Sequence, residues 1–178
     1  LSGRGIFSLL VSGTMTITSN NVVLDSQTPI VVEEGILQFD TWLTNTAPGK
    51  TFHAKGGEIR FAGVSPDYNY IATVPEQLTL LATEGGRIWV NGTNRFTARK
   101  PTFIGDNGTF IAFRQAGNHV HIGDVILRNN SLLNLSIGTQ SMWANEGLVV
   151  LGSLVIESGT NKVQCDRADH SLTLRNGT

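Results

Sequence analysis

Gly35-Ile36-Leu37-Gln38-Phe39 and Gly57-Glu58-Ile59-Arg60-Phe61 carry one five-residue pattern twice. In each, a turn residue precedes an alternation of buried-type and polar-type side chains, the period of a half-buried strand. Gly13-Thr14-Met15-Thr16-Ile17 stands upstream at the same spacing. Downstream copies are Gly86-Arg87-Ile88-Trp89-Val90 and Gly152-Ser153-Leu154-Val155-Ile156, with looser ones at Gly108-Thr109-Phe110, Ser131-Leu132-Leu133-Asn134-Leu135 and His170-Ser171-Leu172-Thr173-Leu174. The anchors of these copies lie at 15, 37, 59, 88, 110, 133, 154 and 172, with steps of 22, 22, 29, 22, 23, 21 and 18. Recurrence at a fixed spacing of this size is the signature of a stacked repeat.

The one long early step contains Val64-Ser65-Pro66-Asp67-Tyr68-Asn69-Tyr70, whose Pro, Asp and Asn mark an inserted loop over about 64–75. Six residues before each anchor stand Leu9, Val31, His53, Ala82, Ile104, Leu127, Leu148 and Asp166, six of the eight apolar, which predicts a second inward column. Within the anchor strands Leu37, Ile59, Ile88 and Leu154 are expected to point inward and Gln38, Arg60, Trp89 and Val155 outward. A unit of about 22 residues with two or three short strands describes one coil of a right-handed parallel β-helix, a β-solenoid. On this reading residues 1–178 form one all-β segment of roughly eight coils. No such coil is stable alone: its four or five apolar side chains bring roughly 1.5–3 kcal/mol each, against backbone ordering at about 1–2 kcal/mol per residue. Stacking on neighbours supplies the rest. Open sheet edges at both ends of the stack predict a cap or further coils beyond Leu1 and Thr178. The competing architecture is an antiparallel sandwich or jelly roll, which also has frequent short strands. Direct stacking of Ile59 on Leu37 discriminates the two.

Composition narrows the function classes. Thirteen Lys and Arg balance 14 Asp and Glu for a net charge of −1, against the basic excess of a nucleic-acid binder. No apolar run reaches the ~18 residues a membrane helix needs. The lone Cys165 cannot form an intrachain disulfide, and it reads as an inert thiol. The 20 glycines, with abundant Asn, Thr and Ser, fit a chain of many tight turns.

Val90-Asn91-Gly92-Thr93-Asn94-Arg95-Phe96-Thr97, running on through Thr102-Phe103-Ile104 to Gly108-Thr109-Phe110, resembles the autotransporter-associated β-strand repeat. Leu154-Val155-Ile156-Glu157-Ser158-Gly159-Thr160-Asn161-Lys162-Val163 is similar to a second copy. Two departures stand out: Ala98-Arg99-Lys100 where the family has Gly after its aromatic-Thr pair, and Val163-Gln164 in place of that pair in the second copy. About a third of the chain carries the resemblance. It implies a passenger region of a bacterial autotransporter or large surface adhesin, secreted or held at the cell surface on the passenger side of the outer membrane. Such a region acts as a stalk or in adhesion to a host-cell or bacterial ligand, including glycans. No functional residue transfers with it.

Candidate chemistry is sparse. Asn118-His119-Val120-His121 puts two imidazoles on one strand face, a spacing that suits a metal ion, but the further carboxylate and His of a metal-binding motif are absent. The expectation is no metal and no cofactor. Cys165-Asp166-Arg167-Ala168-Asp169-His170 is the densest polar cluster, and Asp166 with Asp169 could form the carboxylate pair of a polysaccharide lyase or hydrolase. That carbohydrate-active or tailspike-like alternative is the runner-up to a non-enzymatic role. Five Asn-x-Ser/Thr sequons begin at Asn91, Asn107, Asn129, Asn134 and Asn176, three of them Asn-Gly, which is ordinary turn chemistry. His53 reads as a hydrogen-bonded core or turn residue. The candidate ligand-binding residues are the outward Trp89 and, on the inserted loop, Tyr68 and Tyr70, while Trp42 and Trp143 fall in irregular segments.

Overall fold

A computed structural model of the chain describes residues 7–18, 22–24, 26–40, 43–46, 49–62, 78–91, 101–113, 120–135, 148–150, 152–165 and 172–175. Among these residues the fold is all-β. β1 (Phe7–Ile17), β2 (Val22–Leu24), β3 (Ile30–Phe39) and β4 (Leu43–Thr46) come first. β5 (Thr51–Lys55), β6 (Glu58–Phe61), β7 (Thr79–Thr83), β8 (Arg87–Asn91), β9 (Thr102–Asp106) and β10 (Thr109–Phe113) follow as pairs. β11 (Val120–Ile122), β12 (Val125–Arg128), β13 (Leu132–Leu135), β14 (Leu148–Val150), β15 (Leu154–Ile156), β16 (Lys162–Cys165) and β17 (Leu172–Leu174) complete the chain.

One parallel sheet holds twelve of these strands in the order β15-β12-β9-β7-β5-β3-β6-β8-β10-β13-β16, with β1 against β3. The order has a simple origin. β3 is long enough to pair with β5 through Ile30–Val32 and with β6 through Ile36–Phe39. It therefore joins two ladders, each of which descends one strand per repeat. Two smaller parallel sheets, β2-β4 and β11-β14-β17, are separate from it. Parallel pairing throughout rules out the antiparallel sandwich for the described strands, since antiparallel neighbours are what short hairpin connections produce. The result is solenoid-like.

In the second ladder the partners run Met15, Leu37, Ile59, Ile88, Phe110 and Leu133 in direct register. Ile59 thus stacks on Leu37, as the repeat spacing predicts. The next partner of Leu133 is Val163 rather than Leu154. Leu154 pairs instead with Val125 in the first ladder, and Leu172 with Leu148 in the small sheet β11-β14-β17. This corrects the assignment of the last two anchors, and each ladder is seven strands deep. The physical reason is that Gly-x-apolar-x-apolar introduces a strand of either ladder, so the local pattern does not say which one.

The column placed six residues before the anchors also divides. The first ladder aligns Val31, His53, Leu81, Ile104, Ile126 and Val155 on one face. Ala82 and Leu127 belong to the other face, with Val32 and Ala54, and are fully buried. The corner between the ladders explains the split. It spans residues 56–57, 84–86, 107–108 and 129–131 in successive rungs, alternating two residues with three. A fixed offset therefore slips by one residue at every second rung, and a one-residue slip turns a side chain to the opposite face. Asp166 lies outside the described residues.

The core fills the angle between the ladders. Phe39, Phe52, Phe103, Phe110, Leu37, Ile59, Leu80 and Ile88 are fully buried there. Phe39 and Phe61, in register on β3 and β6, stack with centroids 5.5 Å apart, and Phe52 meets both rings edge-on at 5.8 and 5.2 Å. Such aromatic pairs add about 0.5–1.5 kcal/mol beyond the area they bury.

The corners need unusual backbone. Gly56, Asn107, Asn129 and Asn130 take positive φ, the region open to Gly and tolerated by Asn. Gly86 and Gly108 serve a second purpose, close approach: a Cβ on either would run into the carbonyl of Ala54 or Ala82 in the rung before. Two of the sequon asparagines, Asn107 and Asn129, are these corner residues.

Candidate functional site

Alternation along β8 buries Ile88 and Val90 completely and turns Arg87 and Trp89 outward. The register then decides their neighbours. Arg87 stands beside Glu58, and Trp89 stands beside Arg60 on β6 and Ile111 on β10. Continued along the ladder, the Trp89 row reads Gln38, Arg60, Trp89, Ile111, Asn134 and Gln164.

Glu58 organises the charged part of this face. Arg60 Nε donates to Glu58 Oε1 at 2.5 Å, and Arg87 Nη1 lies 3.9 Å from Glu58 Oε2. The Glu58 side chain is only 12% exposed, whereas those of Arg60 and Arg87 are 35% and 60% exposed. Among the described residues one sheltered carboxylate, bonded to Arg60 and only near Arg87, thus faces two outward guanidinium groups, an excess of one positive charge beside the half-buried indole of Trp89. Further up the row, Gln38 Nε2 donates to Asp40 Oδ1 at 2.9 Å. Further down, Asn134 Oδ1 is buried without a hydrogen-bond partner among the described residues.

The outer face of the first ladder is more apolar. His53 interrupts it, with Nε2 2.8 Å from Thr83 Oγ1. Burial pushes the His53 pKa down, assisted by the neighbouring Lys55 ammonium, while Glu84 and Glu33 act the other way. This agrees with the expectation of a hydrogen-bonded histidine and gives it no ligand role. At the lower corner Arg128 Nε contacts Asp106 Oδ2 at 3.1 Å, and Arg128 Nη1 lies 3.7 Å from Glu157 Oε2. Asn129 Nδ2 donates to Asp106 Oδ1 and Ser158 Oγ to Asn129 Oδ1, and Asn161 Oδ1 accepts from the Ser131 amide. These bonds tie one rung to the next and are structural.

Of the sequence-derived candidates, Trp89 is on the outward face where alternation places it. Tyr68, Tyr70 and the rest of the loop at 64–75 lie outside the described residues, as do Trp42, Trp143, His119, Asp166, Arg167, Asp169 and His170. The backbone of His121 is on β11, but its side chain is outside what is described. Cys165 is exposed at the end of β16. Among the described residues no group of three His, Cys, Asp or Glu could hold a metal ion, and no helix is long and apolar enough to cross a membrane. The Glu58–Arg60–Arg87 group escaped the linear reading. Its signal lay in the successive anchors Ile59 and Ile88, whose alignment puts Glu58 beside Arg87 and Arg60 beside Trp89.

No protein-family model, curated protein or solved structure matches the chain.

Proposed function

We propose that this chain is a segment of an extracellular right-handed parallel β-helix, part of a bacterial surface or autotransporter protein, with a structural and adhesive role. The rod supplies stiffness, and its outer face presents side chains at fixed intervals to a glycan on a host or neighbouring cell. The observation that carries the reading is the outward row holding Trp89 between Arg60 and Ile111. An indole fixed on a sheet offers a flat apolar surface for a sugar ring, with hydrogen-bonding groups beside it to set orientation. Support for the setting comes from the near-constant step along the ladders, the single Cys165 and the β-strand-repeat resemblance.

The loop at 64–75 enters as a second contact element. The test is binding of the immobilised segment to a panel of neutral and acidic glycans. Loss of binding in Trp89→Ala, with the β-rich circular dichroism spectrum kept, supports the reading. Undiminished binding by both Trp89→Ala and a deletion of Ser65–Tyr70 refutes it.

A further inference from the structure

We propose that the face formed by Glu58, Arg60, Arg87 and Trp89 selects carboxylated sugars, a uronate-containing saccharide in particular; this rests on the glycan-binding reading above. The geometry of the patch is set by the sheet. Residues two apart on a strand lie about 6.6 Å apart and strands about 4.8 Å apart, so the four side chains frame an area on the scale of one sugar ring. Trp89 supplies the apolar surface. Arg87 supplies the recognition of charge: its side chain is 60% exposed and Nη1 approaches Glu58 Oε2 only to 3.9 Å, beyond hydrogen-bond range. The guanidinium fork is therefore not committed to Glu58 and can take a carboxylate through two parallel N–H donors.

Glu58 is a positioning residue. It is bonded to Arg60 Nε at 2.5 Å, fixing that guanidinium against the sheet, and its single charge neutralises only one of the two arginines. A neutral sugar would leave the remaining positive charge unused, while a uronate meets it. The same chemistry disfavours a cationic ligand, because Glu58 is sheltered and already lies between two guanidinium groups.

The test is calorimetric titration of the full chain with an alginate tetrasaccharide, its carboxyl-reduced neutral counterpart and dextran sulfate. The uronate is expected to bind about fivefold tighter than the reduced form, the upper end of one exposed charge contact. Arg87→Gln, an exposed position that leaves the core untouched, is expected to erase that preference without altering the melting temperature. Trp89→Ala is expected to weaken uronate and reduced sugar alike; should it fail to fold, Arg87→Gln carries the test. Equal binding of uronate and reduced sugar, both dependent on Trp89, overturns acidic selectivity while leaving glycan binding intact. Binding of neither overturns both. Dextran sulfate matching the uronate, with Arg87→Gln indifferent, also overturns the proposal, since bulk polyanion attraction then accounts for the result.

Discussion

Ser131 Oγ lies 2.8 Å from where a Cβ on Gly105 would stand, so in this rotamer the serine uses space left by a residue with no side chain in the rung before. The carbonyls of Gly57, Gly86, Gly108 and Ser131 each accept from the amide that opens the next second-ladder strand, which makes the four residues equivalent. In the three rungs with Gly at that position, the opposing residue is Val32, Ala54 or Ala82. Ser131 reverses the arrangement. It is buried, accepts from the Gly108 amide and donates to the Arg128 carbonyl.

Gly105→Ala is therefore expected to destabilise the fold by about 1–3 kcal/mol, the usual range for overpacking. In a Ser131→Gly background the same change should cost less, because the obstructing hydroxyl is gone. Urea denaturation of the single and double variants reads the coupling. Strict additivity would contradict the packing relationship.

Gly86→Ala should be worse than Gly105→Ala. The obstacle facing Gly86 is the backbone carbonyl of Ala54, which cannot rotate aside as a serine side chain can. A drop beyond about 3 kcal/mol, or failure to fold, is expected in the same assay. A smaller loss than for Gly105→Ala would mean the corner moves as a unit.

His53 makes stability depend on pH in one direction. Its folded pKa is lowered below the ordinary value of 6.5, with burial the largest cause. The unfolded chain thus binds the proton more readily. The contribution is full above pH 6.5 and is lost as pH falls from there through the lowered folded pKa. His53→Gln should flatten the melting temperature between neutral and mildly acid pH. Groups facing His53 include Lys55, Glu84 and Glu33, and all three are present in the variant.

Lys50 is a buried cation with a structural task. Its Nζ donates to the carbonyl of Ser26 at 2.9 Å and to that of Thr28, closing the connection before β3 onto the one before β5. Lys50→Met keeps the volume but leaves those carbonyls without this donor. The expected loss is about 1–3 kcal/mol, measured by thermal melting. An unchanged melt would show that other donors take over.

Much of this was legible in single residues. Gly35 to Phe39 and Gly57 to Phe61 point to stacked repeats through their matching pattern and spacing, and the parallel pairing of Leu37 with Ile59 bears that out over an antiparallel sandwich. The outward direction of Trp89 follows from alternation alone. Leu154 was not legible in this way. Its five-residue neighbourhood copies the second-ladder pattern, yet hydrogen bonds to β12 put it in the first ladder. The anchors Ile59 and Ile88 put Glu58 beside Arg87, but that Glu58 is sheltered and bonds Arg60 rather than Arg87 needed the side-chain positions.

The sequence by itself determined the strand periodicity and which side chains of Leu37–Gln38, Ile59–Arg60 and Ile88–Trp89 face the core or solvent, since these depend on local alternation and turn residues, while the parallel pairing that excludes a sandwich came from the structure. Only the tertiary structure decided which ladder each late strand joins, the alternation of two- and three-residue corners, and the Ser131–Gly105 exchange. Those features rest on interstrand hydrogen bonding and on the volume left by the rung before, and neither is a property of any short stretch of chain.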